Sequence, residues 1–466
     1  MSSKPPVSGE IVSAALAILK QRFGPRLDES PSMREQHGHT TTWLPNQPPE
    51  AVVFAESTQE VQDIVKICAA RRVPIIPFGA GTSLEGHLNA PMGGVSLDLS
   101  RMNEVVEINI EDMDCRVQPG VTRSQLNTEL RATGLFFPVD PGADATIGGM
   151  AATRASGTNA VRYGTMRDAV LSAEVVTAKG DVIRTASRAR KSSAGYDLTR
   201  LMVGSEGTLG IMTELTLRLH GQPEAVAGAI CSFPTISAAA TTVAETILMG
   251  IPVARIEFLD TLGVKAVNAY SKLSLPEAPL LLLELHGTDS SIGQQAQNFA
   301  ALAKENGALQ TEWSTNPEER TRLWKARHDA YWACLALRPG AVGVVTDVCV
   351  PVSALPDCVS AAQDQAEAMG LLCPIVGHVG DGNFHALPLV DPASQDEKDL
   401  ADRYVAWLND LAISHGGTCT GEHGVGQGKA KYLEKELGAG ALDMMTAIKQ
   451  ALDPDNILNP GKILLS

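Results

Sequence analysis

Aromatic residues make up only 4% of this 466-residue chain, and none of its eight cysteines forms a Cys-x-x-Cys pair. That spacing excludes zinc-ribbon and thioredoxin-like readings. The cysteines, at 68, 115, 231, 334, 349, 358, 373 and 419, are scattered, most of them in apolar runs. They read as buried reduced thiols. Positive charge is also in deficit: 38 Lys and Arg stand against 53 Asp and Glu, a net −15. This balance argues against nucleic acid or a bare anionic membrane as the main partner. No run approaches the roughly 18 consecutive apolar residues of a membrane span. The start, MSSKPPVSGEIVSAALAILK, lacks both a basic n-region and an Arg-rich face, so no targeting peptide is expected. The expected location is cytoplasmic, or peripheral to the inner membrane. A Walker A sequence and a properly spaced Gly-x-Gly-x-x-Gly are missing too.

What is present is ample apolar content, 44%, and an excess of glycine, 42 of 466 residues. The usual glycine share is ~7%. At roughly 150 residues per domain, the length allows two to four domains. From about Pro45 to His220 short apolar runs alternate with glycine-rich turns. Ser57 and Glu60 predict a capping box opening a helix through Arg72, and Thr122–Thr133 reads as helical. The pattern changes near Gly221. Strand-like AVAGAICSF, VARIEFL and PLLLLELHG alternate with helical TISAAATTVAETILMG and Ser291–Asn306, and a long polar helix is expected over Pro317–Leu337. GVVTDVCVP (strand), Ser353–Met369 (helix), CPIVGHV and NFHALPLV (strands) and Ser394–His415 (helix) follow. A β-α-β-β-α order thus appears about twice, the signature of ferredoxin-like units. The predicted class is α+β, with an N-terminal domain and a second domain built on an antiparallel sheet.

Three glycine loops stand in the first domain: Pro77–Gly86 (PFGAGTSLEG), Pro141–Met150 (PGADATIGGM) with Ser156–Thr165 close behind, and Gly204–Ile211 (GSEGTLGI). Taken singly, each reads as a plain tight turn. Three of them with Ser and Thr beside the glycines point to a phosphate-rich ligand. Successive backbone N–H groups can hold phosphate oxygens without a cationic side chain, which suits so acidic a protein.

A second constellation lies in Gly377-His-Val-Gly-Asp-Gly-Asn-Phe-His385. If Val379 and Phe384 flank the turn, His378 and His385 face each other across a hairpin, with Cβ atoms ~5 Å apart. Alone, such a pair also reads as polar sheet residues. Glu422, in the glycine-flanked Gly421-Glu-His-Gly424, supplies a carboxylate. Two imidazoles and one carboxylate suit Zn, Mn or Fe(II).

The loops in this order, together with Asn459-Pro-Gly-Lys462, resemble the FAD-binding domain of the vanillyl-alcohol oxidase / p-cresol methylhydroxylase superfamily. From about Arg34 to the end the chain is similar to its cytochrome-type D-lactate dehydrogenase branch. REQHG, VPIIPFG, PVDPGADA, SGTNAVRYGTMRD, VGSEGTLG, VARIEFLD, DVCVP, GHVGDGNFH and TCTGEHG carry the likeness. The resemblance implies a PCMH-type FAD-binding domain over 1–220, a substrate-binding domain over 221–425 and a segment, 426–466, returning to the flavin. It implies FAD contacts at Pro77, Gly79, Ala80, Gly81, Thr82 and Ser83, where the pyrophosphate would lie. Pro141, Gly142, Ala143, Thr146, Gly149 and Ala152, with Ser156, Gly157 and Asn159, would surround the isoalloxazine; Gly207, Ile211 and Asn459 complete the set. The first loop has Thr82 and Ser83 but no histidine before His87, so the FAD is expected to be non-covalent. His87 stands where relatives tend to carry glycine.

The resemblance further implies that His378, His385 and Glu422 ligate a divalent metal, Zn or Mn, that His423 is the catalytic base, and that Arg327 pairs with the substrate carboxylate. Read from the residues alone, Arg327 is a solvated helix arginine. The implied reaction is oxidation of a D-2-hydroxy acid to a 2-keto acid. Dicarboxylate-using relatives place a lysine near the strand matching GVVTDVCVP. Val344, Val345 and Thr346 stand here instead, which predicts an apolar wall and a small substrate such as lactate; D-2-hydroxyglutarate is the alternative. Cytochrome c, a quinone or an electron-transfer flavoprotein are the implied acceptors, and a second copy of the chain is a further candidate partner. A metallohydrolase with plain glycine turns, and a non-catalytic flavin subunit of a glycolate-oxidising complex, are the competing classes.

Overall fold

A computed structural model describes residues 9–40 and 42–464; residues 1–8, part of the stretch read for a targeting peptide, lie outside it. No helix among the described residues is long and apolar enough to cross a membrane. The chain divides into two compact units. The first holds the described residues up to Ser156, Gly164–Gln222, and those from Glu422 onward; the second holds Gly157–Tyr163 and Pro223–Gly421.

In the first unit a four-stranded sheet runs in the order Leu27–Asp28, Ala51–Phe54, Val95–Asp98, Ile75–Phe78. Its last three strands are parallel. Val95–Asp98 is buried throughout, as a strand in a parallel sheet covered on both faces must be. The helix Thr58–Ala69 covers it, with Val61, Ile64, Val65 and Cys68 buried, and a helix not expected from the sequence, Gly9–Phe23, joins the same core through Val12, Ala15 and Leu19. Ser57 Oγ caps Glu60 N, but the box is only half made. The Glu60 carboxylate is drawn to the Arg26 guanidinium and Glu56 N instead. A second, antiparallel sheet orders Val105–Asn109, Asp114–Val117, Ile211–Arg218, Val170–Val176 and Val182–Arg184. The C-terminal segment returns to the first sheet, where Ile75 N donates to Ile457 O (2.7 Å) and Asn459 N to Ile75 O (2.8 Å).

The second unit is built on one seven-stranded sheet: Gln310–Ser314, Ala225–Ser232, Leu280–Gly287, Val253–Leu259, Ile375–Gly377, Asn383–Ala386, Val348–Cys349. Taking Ala225–Ser232 as strand one, the first four read 4-1-3-2 and are antiparallel. The helices Ile236–Leu248 and Asp289–Glu305 follow strands one and three. That is a complete ferredoxin-like unit. The second repeats the order 2-3-1, and its fourth strand shrinks to a single bridge between Thr418 and Cys349. The predicted α+β class with ferredoxin-like repeats is the fold observed. One sheet face carries Phe258, Leu281, Leu283, Leu285, Ile375 and Phe384 into the main core beneath the helices; alternation along the strands sends Glu257, Glu284, His286, His378 and His385 to the other.

Three expected elements are interrupted, among them NFHALPLV, which splits into Asn383–Ala386 and Leu389–Val390 in different sheets. The long helix breaks at Asp329 into Pro317–His328 and Ala330–Leu335; the Asp329 carboxylate is held by Lys325 Nζ (2.7 Å) and caps nothing. GVVTDVCVP forms only Val342–Gly343 and Val348–Cys349 as strand. Between them Thr346 is taken up with Ala386, its hydroxyl donating to Ala386 O (3.0 Å) and accepting from Ala386 N (2.7 Å).

Candidate active site

The three glycine loops converge in the first unit. The first follows the strand Ile75–Phe78, and a Cβ on Gly79 would strike Thr146 Oγ1 of the second. Thr146 caps the helix Ile147–Thr153 by accepting from Gly149 N. The end of that helix receives the third loop: Gly204 N donates to Ala151 O and Glu206 N to Ala152 O, both at 2.9 Å. A Cβ on Gly207 would lie 2.8 Å from Pro77 Cγ. Gly81 and Gly207 take φ of +71° and +70°, open to glycine at little cost. Asn459 closes the ring, its side-chain amide donating to Glu206 O (2.7 Å). Lys462, buried nearby and pushed down to about 7 by burial, donates to Asn89 O (2.7 Å). Ser83 Oγ and Ser205 Oγ are buried with no hydrogen-bond partner among the described residues. Close-packed backbone with orphaned hydroxyls fits a ligand rich in acceptor oxygens. Of the other expected contacts, Ile211 opens the long strand opposite Val176, whereas Gly157 and Asn159 fall in the second unit. There Asn159 Oδ1 accepts from Arg255 Nε (2.7 Å).

The second unit brings His378 and His385 together, with a register different from the one expected. Val376, not His378, is the partner of His385. A 3₁₀ turn over Val379–Asp381 closes the hairpin and advances His378 by two residues. The two imidazoles are therefore diagonal neighbours on one face, ring centroids 5.5 Å apart, within the reach of diagonal pairs. His378 Nδ1 donates to both oxygens of Glu257 (2.8 and 2.9 Å), and His385 Nδ1 donates to Thr346 O (2.9 Å). A ring held through Nδ1 by a carboxylate or carbonyl is the arrangement of metal-binding histidines with a fixed outer shell.

Glu257 is fully buried, and its second charged partner is Arg327, whose Nη2 lies 2.6 Å from Oε2. Arg327 is not a solvated helix arginine: it is 8% exposed, and its Nε is buried without a hydrogen-bond partner among the described residues. Next on the same face, Trp324 Nε1 and His286 Nε2 each donate to Glu284 at 2.7 Å, and Tyr163 O–H donates to His286 Nδ1 (2.7 Å). Burial alone would raise the Glu284 carboxyl, but His286, Arg255 and Trp324 hold it below the ordinary range. Asp347, also fully buried, accepts from Asn383 Nδ2 and Thr420 Oγ1, both at 2.9 Å. Gly421 N donates to Asp347 O (3.0 Å). Glu422 and His423 follow directly in the chain and begin the last segment of the first unit, with His423 Nε2 3.9 Å from Glu422 Oε1.

The expected apolar wall is not formed as drawn. Val344 packs into a small core with Val390, Ala401 and Val405, and Val345 packs against the cluster containing Trp324, Leu387 and Leu389. What Thr346 contributes is its carbonyl, which orients His385. Sequence reasoning passed over Glu257 and Glu284, although each is the lone acid of a mainly apolar strand, Val253–Leu259 and Leu280–Gly287. Such an acid has to be paired, and that was the available signal.

A family model described as "FAD linked oxidases, C-terminal domain" matches residues 222–463, and one described as "FAD binding domain" matches residues 49–186. The chain is 49% identical to "Probable D-lactate dehydrogenase, mitochondrial" of Danio rerio, covering 93% of this chain and 88% of that one. It is also 49% identical to "D-lactate dehydrogenase [cytochrome], mitochondrial" of Arabidopsis thaliana (89% and 73%), and 38% identical to "Glycolate oxidase subunit GlcD" of Bacillus subtilis (96% and 95%). Among solved structures, p-cresol methylhydroxylase with substrate bound superposes with a TM-score of 0.84 at 19% identity over 99% of both chains. The 4-ethylphenol oxidase of Gulosibacter chungangensis gives 0.80 at 20%, again over 99% of both. At that identity the superpositions speak for the fold.

Proposed function

The chain belongs to the FAD-linked oxidase family and is an FAD-dependent oxidoreductase; from that premise we propose that it oxidises D-2-hydroxy acids, D-lactate and similar small aliphatic ones, to 2-keto acids. The observation that carries this reading is the pair His378 and His385, their Nδ1 atoms held by Glu257 and Thr346, beside the buried Arg327. A 2-hydroxy acid presents a hydroxyl and a carboxylate on adjacent carbons, and this set suits both. Support also comes from the 49% identity to two proteins bearing the D-lactate dehydrogenase name.

When bound, FAD supplies a hydride acceptor and a divalent ion, Zn or Mn, supplies a Lewis acid that acidifies the hydroxyl. The chain's own residues do the rest. His378, His385 and Glu422 would hold the ion, and Glu257 and Thr346 fix the two rings so that no ligand has to reorganise. Arg327, anchored on Glu257, has donors left for the substrate carboxylate, where a planar fork fits well. His423 takes the hydroxyl proton, a task suited to an imidazole whose unperturbed pKa is ~6.5. The converging loops, with Pro77, Gly79–Ser83, Thr146, Gly207 and Asn459, would seat the flavin without a covalent link.

The net charge of −15 favours a cationic electron acceptor such as cytochrome c; quinones and electron-transfer flavoproteins are the alternatives. Glycolate is the second substrate reading, favoured by the 38% identity to GlcD over nearly the whole of both chains. D-2-hydroxyglutarate, which carries a second carboxylate, is the remaining alternative. Turnover with an artificial acceptor on D-lactate, D-2-hydroxybutyrate, glycolate and D-2-hydroxyglutarate tests the assignment. D-lactate or D-2-hydroxybutyrate should have the highest kcat/KM, and no turnover on any of the four would remove the reading.

A further inference from the structure

Glu206, in the third glycine loop, is a non-glycine residue held at φ +54°. That left-handed conformation is disfavoured for a side chain of this kind and persists only where the surroundings impose it. Four separate ties do so. Its N–H donates to Ala152 O (2.9 Å), behind the second glycine loop, and its carbonyl accepts from Asn459 Nδ2 (2.7 Å). Its buried carboxylate accepts Val425 N at Oε1 (2.6 Å) and Gly426 N at Oε2 (2.9 Å).

The last pair forms a clamp on the backbone two and three residues beyond His423. The strap it grips has no room to spare: a Cβ on Gly424 would lie 2.8 Å from both Glu206 Oε1 and His87 Nε2, and Gly424 takes φ +84°. His87 stands against the same carboxylate, with Nε2 3.3 Å from Oε1. This gives the buried histidine beyond the first glycine loop a place. It is the first loop's contact with the clamp.

We infer that Glu206 is a positioning residue for His423: it registers the Glu422–His423 turn on the flavin-binding loops, so that the base keeps its place relative to the cofactor. The inference rests on His423 acting as the base. Each carboxylate oxygen accepts one backbone N–H. Glu206→Gln is nearly isosteric but turns an NH2 donor toward one of the two N–H donors.

The test combines hydrogen exchange with kinetics on the FAD-loaded protein. In the wild type the Val425 and Gly426 amides should exchange slowly; in Glu206→Gln they should exchange at least ~10-fold faster. Flavin reduction should slow by ~10- to 100-fold, while KM and FAD content stay within about twofold. Gly424→Ala, which pushes the strap off the clamp from the other side, should show the same signature and serves if Glu206→Gln does not fold. Fast exchange at Val425 and Gly426 in the wild type, an unchanged reduction rate in Glu206→Gln, or a slow rate explained by FAD loss would each overturn the inference. Failure of the wild type to be reduced by any 2-hydroxy acid would instead remove the functional reading, and the exchange data would still test the clamp.

Discussion

Replacing Glu257 with glutamine changes almost no volume but removes the one negative charge that both His378 and Arg327 lean on. Glu257 is fully buried and Arg327 is 8% exposed, so the guanidinium would be left as an uncompensated buried charge. Breaking a buried ion pair in this way costs about 3–5 kcal/mol. For a unit of some 200 residues, at about 2–4 °C per kcal/mol, the melting temperature should drop by roughly 6–20 °C. The effect on metal is separate. An amide oxygen can still accept from His378 Nδ1, but without the charge that makes the imidazole a stronger ligand, so affinity should fall about 10- to 100-fold. Titrating metal-stripped protein with Zn or Mn and following heat gives the second number, and calorimetric melting gives the first. Adding Arg327→Met to Glu257→Gln should recover most of the lost stability, because the stranded charge is gone, but none of the metal affinity. Wild-type metal affinity in Glu257→Gln would refute the outer-shell role. An undiminished melting temperature would refute the ion-pair argument.

Three further outcomes follow from the same geometry. His423→Ala should retain FAD and metal, measured by absorbance and elemental analysis, yet lose flavin reduction by ~100-fold or more; reduction at the wild-type rate would make the base assignment wrong. Arg327→Lys keeps the charge but not the fork, so KM for the 2-hydroxy acid should rise about 10-fold or more with FAD content unchanged. Burial pushes the Asp260 carboxyl up to about 7 where it caps the helix Thr261–Ser271 through Gly263 N (2.6 Å). The folded protein thus holds a proton that the unfolded chain releases near its ordinary 3.8. Stability from this group is therefore lost as pH rises from ~4 toward 7, by on the order of 4 kcal/mol in total. Asp260→Asn keeps a capping oxygen, so its gain in melting temperature over the wild type should be larger at pH 8 than at pH 5.

Much of this architecture is legible in the chain because its periodicities are clean. AVAGAICSF, VARIEFL and PLLLLELHG with their intervening helices announce three of the four strands of the 4-1-3-2 sheet, though not the outermost, Gln310–Ser314, and the glycine loops announce a backbone-lined ligand site. The histidine pair is legible as a pair but not in register, since whether Val379–Asp381 forms a 3₁₀ turn depends on packing. A Cβ on Gly380 would meet Ile256 and Val161, each far away in sequence. Local pattern likewise cannot say which side of a strand-like run faces a site. Val344 and Val345 read as a wall and instead fill two separate cores, because the run is broken by the bonds of Thr346 to Ala386. Glu257 and Glu206 were hidden for a different reason. Their importance lies in partners more than 50 residues away, His378 and Arg327 for one, Val425 and Gly426 for the other.

The proposed function stands or falls with hydride transfer from a D-2-hydroxy acid to the flavin. The most direct measurement is anaerobic mixing of the purified, metal-replete flavoprotein with D-lactate and, separately, L-lactate, following the flavin absorbance in a single turnover. Bleaching by the D-enantiomer, with one equivalent of pyruvate formed per flavin and little or no reaction with the L-enantiomer, is the result expected. A flavin that stays oxidised with D-lactate and with the other D-2-hydroxy acids, in protein shown to carry FAD and metal, would contradict it.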